Sequence, residues 1–195
     1  LVWTPTPDIM YHSGYQTYVD VEEVTKPLEG AVRPGHFRGV STVVAKLFNV
    51  FQPTRAYFGQ KDAQQVMVIK RMVHDLNFNL KIVACPTVRE PDGLAMSSRN
   101  VNLSAEGRRK SACLFQALSA VESEYEKGVR DAQQLRRTMR DIIESMEGAQ
   151  VEYISVAHTE TLNELTSVEN RALCSLAVKI DKVRLIDNIF IGRKK

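Results

Sequence analysis

The chain is poor in several features that would announce a function at once. It has three cysteines, one tryptophan and four histidines in 195 residues. Cys85, Cys113 and Cys174 are widely spaced and form no Cys-x-x-Cys pair, which excludes a disulfide scaffold and suits reduced, partly buried thiols in a cytoplasmic protein. His12, His36, His74 and His158 lie too far apart for a local metal motif. No apolar run approaches the roughly 18 residues of a membrane span. Residues 1–10 hold two prolines and no basic stretch, so they do not read as a signal peptide. Lys plus Arg is 26 against Asp plus Glu 23, an excess too small for a nucleic-acid binder. The basic clusters at Arg108–Lys110 and Arg193–Lys195 read as solvated surface. There is no internal repeat, no Gly-x-x-x-x-Gly-Lys-Ser/Thr phosphate loop and no Gly-x-Ser-x-Gly nucleophile elbow.

What is present is an ordinary globular composition, 44% hydrophobic and 25% charged, in a chain long enough to bury a core. Leu1-Val2-Trp3 resembles the tail of a buried strand, which suggests that Leu1 is internal to a longer protein. Thr17–Val21 is β-branched and aromatic enough for a strand. From Val40, the apolar positions Val40, Val43, Val44, Leu47, Phe48 and Phe51 follow helical spacing until Pro53. Arg55–Phe58 reads as a strand, Asp62 as a helix start with a Val66, Ile69, Val73, Leu76 stripe, and Leu80–Cys85 as a second strand. Strand, helix and strand within about 30 residues predict a right-handed βαβ unit with parallel strands, whose ligands bind at the carboxyl ends of the strands. That places residues 58–65 and 86–88 on the binding edge.

Pro91-Asp92-Gly93 marks a turn, and Ser97-Ser98-Arg99-Asn100 a polar loop. Ser104 caps a long helix with Leu114, Leu118, Val121 and Tyr125 inside, ended by Gly128. Asp131 caps another, with Leu135, Met139, Ile142 and Met146 inside, ended by Gly148. Strands are expected at residues 151–156, 172–180 and 183–191. Helices followed by strands suggest a small α+β domain. The domain expectation is residues 1–87 for the βαβ part and 88–195 for the second.

Three constellations could carry chemistry. In Phe58-Gly59-Gln60-Lys61-Asp62-Ala63-Gln64-Gln65, a glycine after a strand lets backbone approach a ligand, and a helix N-terminus with a lysine suits phosphate. Asp62 and Gln65 equally fit a capping box. In Met96-Ser97-Ser98-Arg99-Asn100, two hydroxyls and a guanidinium can hold a triphosphate, or simply face water. In Arg33-Pro34-Gly35-His36-Phe37-Arg38-Gly39, the cations could meet anions, while His36 alone fits a structural role.

Taken in order, the segments Leu28–Val40, Phe58–Gln65 and Pro86–Asn100, with Arg184-Leu185-Ile186-Asp187-Asn188 near the end, resemble the pantoate–β-alanine ligase family. The resemblance runs over nearly the whole chain. It implies a partial Rossmann-like, nucleotidyltransferase or class I synthetase-like α/β domain followed by a small α+β lid domain. It implies condensation of pantoate with β-alanine through a pantoyl adenylate, using ATP and Mg2+, in a cytoplasmic homodimer that binds neither nucleic acid nor membrane. By the same resemblance, Gly59, Gln60, Lys61 and Asp62 match an ATP-binding loop, and Val88 a backbone contact to the nucleotide. Met96, Ser97, Ser98 and Arg99 match a mobile phosphate-binding loop. Gln65, Val43 and Val44 match pantoate contacts, although periodicity places the two valines in the core. Arg33 matches a position on the pyrophosphate side.

The family's His-x-Gly-His motif with its catalytic histidine, a second pantoate glutamine and acidic metal residues are not in this sequence, and His36 in Pro-Gly-His-Phe is not that motif. No metal-ligand set is therefore expected in this chain, and the 195 residues are not expected to catalyse alone. Two other classes fit parts of the pattern: a related nucleotidyltransferase, and a non-catalytic nucleotide-binding or dimerisation fragment.

Overall fold

The computed structural model describes residues 1–193. The expected basic tail at Lys194 and Lys195 lies outside the described residues. The chain divides into two compact units, one formed by Leu1–Phe58 and Gln64–Ala84, the other by Gly59–Ala63 and the chain from Cys85 onward.

The first unit holds two short helices, α1 (Pro7–Met10) and α2 (Glu29–Val32), and the long α3 (His36–Phe51). Strand β1 (Arg55–Gly59), helix α4 (Ala63–Asp75) and strand β2 (Lys81–Cys85) follow. β1 and β2 pair in a two-stranded parallel sheet, the strand–helix–strand arrangement that the spacing predicts. Its core is Val44, Ala45 and Phe48 of α3 against Ile69 and Met72 of α4, with Phe58 and Ile82 from the strands packed on it. Phe48 meets Phe58 and Phe78 edge-on, at centroid distances of 6.5 and 5.6 Å.

Three expectations for this unit fail. Residues 17–21 form no strand: the Val19 amide donates to the Thr42 hydroxyl of α3 (3.0 Å), and Tyr18 lies exposed under the Arg38 guanidinium. A β-branched stretch without a partner strand finds its hydrogen bonds elsewhere. Leu76 falls one residue beyond α4 and is 51% exposed, and Phe51 at the end of α3 is also exposed; Val68 and Met72 are buried in α4 instead. α3 begins four residues ahead of Val40, after Gly35.

The second unit packs helices on an antiparallel sheet. α5 (Ala105–Lys110), α6 (Cys113–Glu126) and α7 (Ala132–Glu144) precede β3 (Ala149–His158), β4 (Arg171–Ile180) and β5 (Val183–Gly192), in sheet order β3-β4-β5. Ile180 pairs with Val183 across a two-residue turn, which sets the β4–β5 register through to Arg171 opposite Gly192. Leu114, Leu118 and Val121 of α6 and Leu135, Met139 and Ile143 of α7 are fully buried against Cys174, Leu176 and Val178 of β4. Ser104 caps α5 by accepting from the Gly107 amide (2.9 Å), and Asp131 caps α7 by accepting from Gln133 (2.7 Å) and Gln134 (3.4 Å), both as the residue types predict.

The single long helix expected after Ser104 is instead two. The Ser111 hydroxyl donates back to the Gly107 carbonyl (2.7 Å), and the Leu114 amide reaches only three residues back, to Ser111 (3.3 Å), so the ladder tightens and breaks there. Arg108 pairs with Asp92 and Lys110 with Glu106, so that basic cluster is ion-paired surface. Cys85, Cys113 and Cys174 are free thiols. Burial pushes the Cys113 thiol up to about 11 and that of Cys174 higher still, which leaves both protonated and inert near neutrality.

Candidate functional site

Within the second unit, two segments far apart in sequence meet in one pocket. The first is a single 3-10 turn at Gln60–Asp62, which follows β1 directly. Its N-cap is Gly59, so Asp62, exposed at the end of the turn, is not the capping residue of that turn. Gly59 has an ordinary extended backbone (φ −71°), so no left-handed conformation requires a glycine. Space does not require one either: a Cβ built there meets nothing within 4 Å, so the backbone at this position lies open.

The second segment is a hairpin, turned at Pro91-Asp92-Gly93 as its residue types predict. Arg89 bridges to Ala95, the Glu90 amide donates to the Leu94 carbonyl (2.8 Å), and the Met96 amide donates to the Val88 carbonyl (2.9 Å). Gly93 turns the corner at φ +90°, where a side chain would strike the Phe115 ring. Arg89 anchors the hairpin. Its guanidinium donates to the Gly93 carbonyl (2.9 Å) and, bidentately, to Asp187 (2.5 and 3.0 Å), and it lies 4.4 Å from the Phe115 centroid.

After the hairpin comes a second 3-10 turn, Ser98–Asn102, where an irregular loop was expected. The Ser97 hydroxyl caps it by accepting from the Arg99 amide (3.2 Å). Asn100 ties it to the hairpin by donating to the Ala95 carbonyl (3.1 Å). Met96, Ser98 and Arg99 are left exposed, as is Val88.

The pocket where these turns meet is lined by Lys61, Ser97, Arg99 and Asn100, with Arg184 and Ile186 of β5 and the buried Leu94 and Ala95 as its walls. Three cationic residues and no carboxylate line this narrow space of about 10 Å³; Arg184 is ion-paired with Glu152, so Lys61 and Arg99 are the charges it offers an anion. Arg184 was not singled out as a ligand from sequence, because nothing local distinguishes it from any strand arginine. Its Nε donates to Glu152 (2.5 Å), which Lys179 also contacts (3.1 Å). Burial pushes the Glu152 carboxyl up, but the hydrogen bonds from Arg184 and Lys179 outweigh this and hold it below the usual range.

The first unit holds the remaining candidates. Gln65 is half-buried on the first turn of α4. Val44 is buried in the core and Val43 packs against the same cluster, as their periodicity alone predicts. Arg33 is exposed, with Nη1 3.2 Å from His36 Nε2. The neighbouring Gln64 has a role that sequence did not signal. Its side chain is buried, accepts from the Glu29 amide (3.0 Å) and donates to the carbonyls of Val24 (2.9 Å) and Pro27 (2.8 Å), fastening the segment before α2 to α4. Among the described residues, no cluster of three His, Cys, Asp or Glu could hold a metal ion, and no helix is long and apolar enough to cross a membrane.

The family model for pantoate-beta-alanine ligase matches residues 1–190. The pantothenate synthetase of Roseiflexus sp. (strain RS-1) is 56% identical over 188 residues, covering 96% of this chain and 68% of that protein. The Geobacter sulfurreducens pantothenate synthetase is 49% identical over 195 residues, covering all of this chain and 69% of its own. The crystal structure of the Thermus thermophilus pantothenate synthetase superposes with a TM-score of 0.91 at 45% identity, over 95% of this chain and 67% of that one. The Francisella tularensis pantoate-beta-alanine ligase, solved with β-γ ATP and β-alanine, gives a TM-score of 0.67 at 35% identity, over 93% of this chain and 61% of that one. The mixed α/β fold is thus the nucleotidyltransferase-like one that the family resemblance implies. Matched along residues 1–190 and in fold, this chain belongs to the pantoate–β-alanine ligase family.

Proposed function

We propose that this chain serves the ATP-dependent condensation of pantoate with β-alanine to pantothenate. The observation that carries the reading is the second-unit pocket, where Lys61 of one turn meets Ser97 and Arg99 of another, with no carboxylate among its lining residues. A pantoate carboxylate oxygen attacks the α-phosphorus of ATP and pyrophosphate leaves, giving pantoyl adenylate. The β-alanine amine then attacks the acyl carbon, AMP departs, and the amine proton is lost to water. Negative charge gathers on the departing pyrophosphate in the first step. Lys61 and Arg99 neutralise it, and Ser97 and Ser98 donate hydrogen bonds to phosphate oxygens. Gly59 leaves room for the nucleotide beside its backbone, and the exposed Val88 offers main-chain contact to it. Met96 forms part of the same phosphate-binding segment.

Gln65 hydrogen-bonds pantoate through its amide. Val43 supplies apolar contact to the dimethyl group where its half-buried side chain reaches the surface, and Val44 supports it from the core. Arg33 lies on the pyrophosphate side. Mg2+ is carried chiefly by substrate phosphates, and the pocket, which no carboxylate lines, offers it no ligand among the described residues. When bound, the ion offsets phosphate charge. The protein works in the cytoplasm, and it pairs as a homodimer.

The test is pantoate-dependent exchange of labelled pyrophosphate into ATP, using the chain extended to the full length of its relatives. Exchange that requires pantoate and falls by about 10- to 100-fold in Lys61→Ala supports the reading, since charge-assisted hydrogen bonds contribute about 1.5–3 kcal/mol each. Exchange without pantoate points to a different nucleotidyltransferase. A folded, ATP-binding protein without exchange is a binding fragment.

A further inference from the structure

The strand β5 reaches the Gln60–Asp62 turn through one side chain. Asn188 is 4% exposed, and its Nδ2 donates to two consecutive carbonyls of the turn, Gln60 (3.1 Å) and Lys61 (2.8 Å), across more than 120 positions of sequence. These acceptors settle the orientation of the amide, with nitrogen toward the turn and oxygen away from it. Asn188 is itself held. Its backbone amide donates to Asp187 Oδ1 (2.8 Å), and that carboxylate is gripped by both terminal nitrogens of Arg89, the anchor of the hairpin that leads into Ser97 and Arg99. Along β5 the side chains alternate between faces, so Arg184, Ile186 and Asn188 share one. Arg184 and Ile186 line the pocket, and Asn188 holds the backbone of its lysine.

We propose that Asn188 is a positioning residue for Lys61, an inference that rests on reading the pocket as the phosphate site. One amide bonded to two successive carbonyls fixes the planes of two peptide groups. In a trans peptide the N–H points opposite the C=O, so the same clamp aims the amides of Lys61 and Asp62 away from Asn188. It also fixes the direction in which the Lys61 side chain leaves the backbone. A lysine has a flexible four-carbon stem, and orienting its root is how the fold places its charge. The partner arrangement Arg89–Asp187–Asn188 sets both phosphate-binding turns from one point on the strand.

The test is a double-mutant cycle on the full-length chain, with pyrophosphate exchange as the readout. Asn188→Ala removes both hydrogen bonds, and the KM for ATP should rise about tenfold, with the KM for pantoate within about twofold of the parent. Because Asn188 acts through Lys61, the double variant Asn188→Ala/Lys61→Ala should be no worse than Lys61→Ala alone. Multiplying losses, equal rises in both KM values, or an unaffected Asn188→Ala would each overturn the proposal. An unaffected Lys61→Ala would remove the phosphate reading and this inference together. An impaired Lys61→Ala beside a normal Asn188→Ala removes this inference alone. Asn188→Ser, which keeps a small hydroxyl in the sheet, takes the same measurement should the alanine variant not fold. Failure of both to fold would assign Asn188 to sheet stability and overturn the positioning role.

Discussion

The two units use similar sequence patterns and reach different degrees of burial. In the second unit, amphipathic helices α6 and α7 lie on a three-stranded sheet, and their apolar stripes are almost entirely removed from water. In the first unit, α3 and α4 carry stripes of the same spacing, yet Phe51, Leu76, Trp3 and Tyr18 remain exposed and the buried cluster is small. A sheet of ten-residue strands gives each helix a full platform. A pair of five-residue strands covers only the middle of one. Helical periodicity therefore identifies a face reliably, while the extent of its burial depends on the layer that receives it.

The largest expected effect tests the better-buried unit. Arg89→Ala leaves the Asp187 carboxylate, 1% exposed, without its cation, and should cost about 3–5 kcal/mol. Differential scanning calorimetry should show the loss in the transition of the second unit. A Tm within a degree of the parent would break the comparison. Next, Arg99→Ala should slow adenylate formation by roughly 10- to 100-fold while raising the KM for ATP less, because its partner charge grows in the transition state. Single-turnover kinetics separate the two, and equal changes would mark Arg99 as a ground-state contact.

A smaller effect is expected from Glu152→Gln, about 1 kcal/mol at neutral pH. The folded carboxyl titrates below its unfolded value of about 4.3, so its stabilisation is complete above that pH and is lost as pH falls through the folded value. Melting curves of parent and variant should converge in acid; a constant gap down to the lowest pH would contradict it. The smallest effect belongs to the rim of the first unit. Leu76→Ala should change stability by no more than about 0.5 kcal/mol, against about 2–5 kcal/mol for Leu135→Ala in the second core. Denaturant titration of both variants sharpens the contrast, and similar losses would show that Leu76 is covered.

The parts that were legible are those with a local cause. Ser104 and Asp131 cap their helices because a short polar side chain reaches an amide two or three residues on. The strand–helix–strand order of residues 55–85 and the strands 149–192 follow from their apolar patterns. Pro91-Asp92-Gly93 turns as its residue types require. The expected strand at residues 17–21 failed because β-propensity names no partner, and here the bonding partner of Val19 is a helix side chain. The long helix after Ser104 failed because a serine competing for the helix backbone leaves no mark in hydrophobic spacing.

At the site, the residues alone picked out Lys61, Ser97 and Arg99 as separate motifs that only the family resemblance joined, and Gln64, Arg184 and Asn188, though inside the resembling segments, were given no role. The sequence by itself determined the family, the helix caps, the order of elements and which residues carry charge suited to phosphate. All of these depend on residue type and on neighbours within a few positions. Only the tertiary structure decided that Lys61 and Arg99 share a pocket with Arg184, that Asp187 rather than Glu90 holds Arg89, and that Asn188 grips the turn of Lys61. Those pairings close loops of 38 to 128 residues. Their geometry is set by the packing of whole elements, about which no short window of residues carries information.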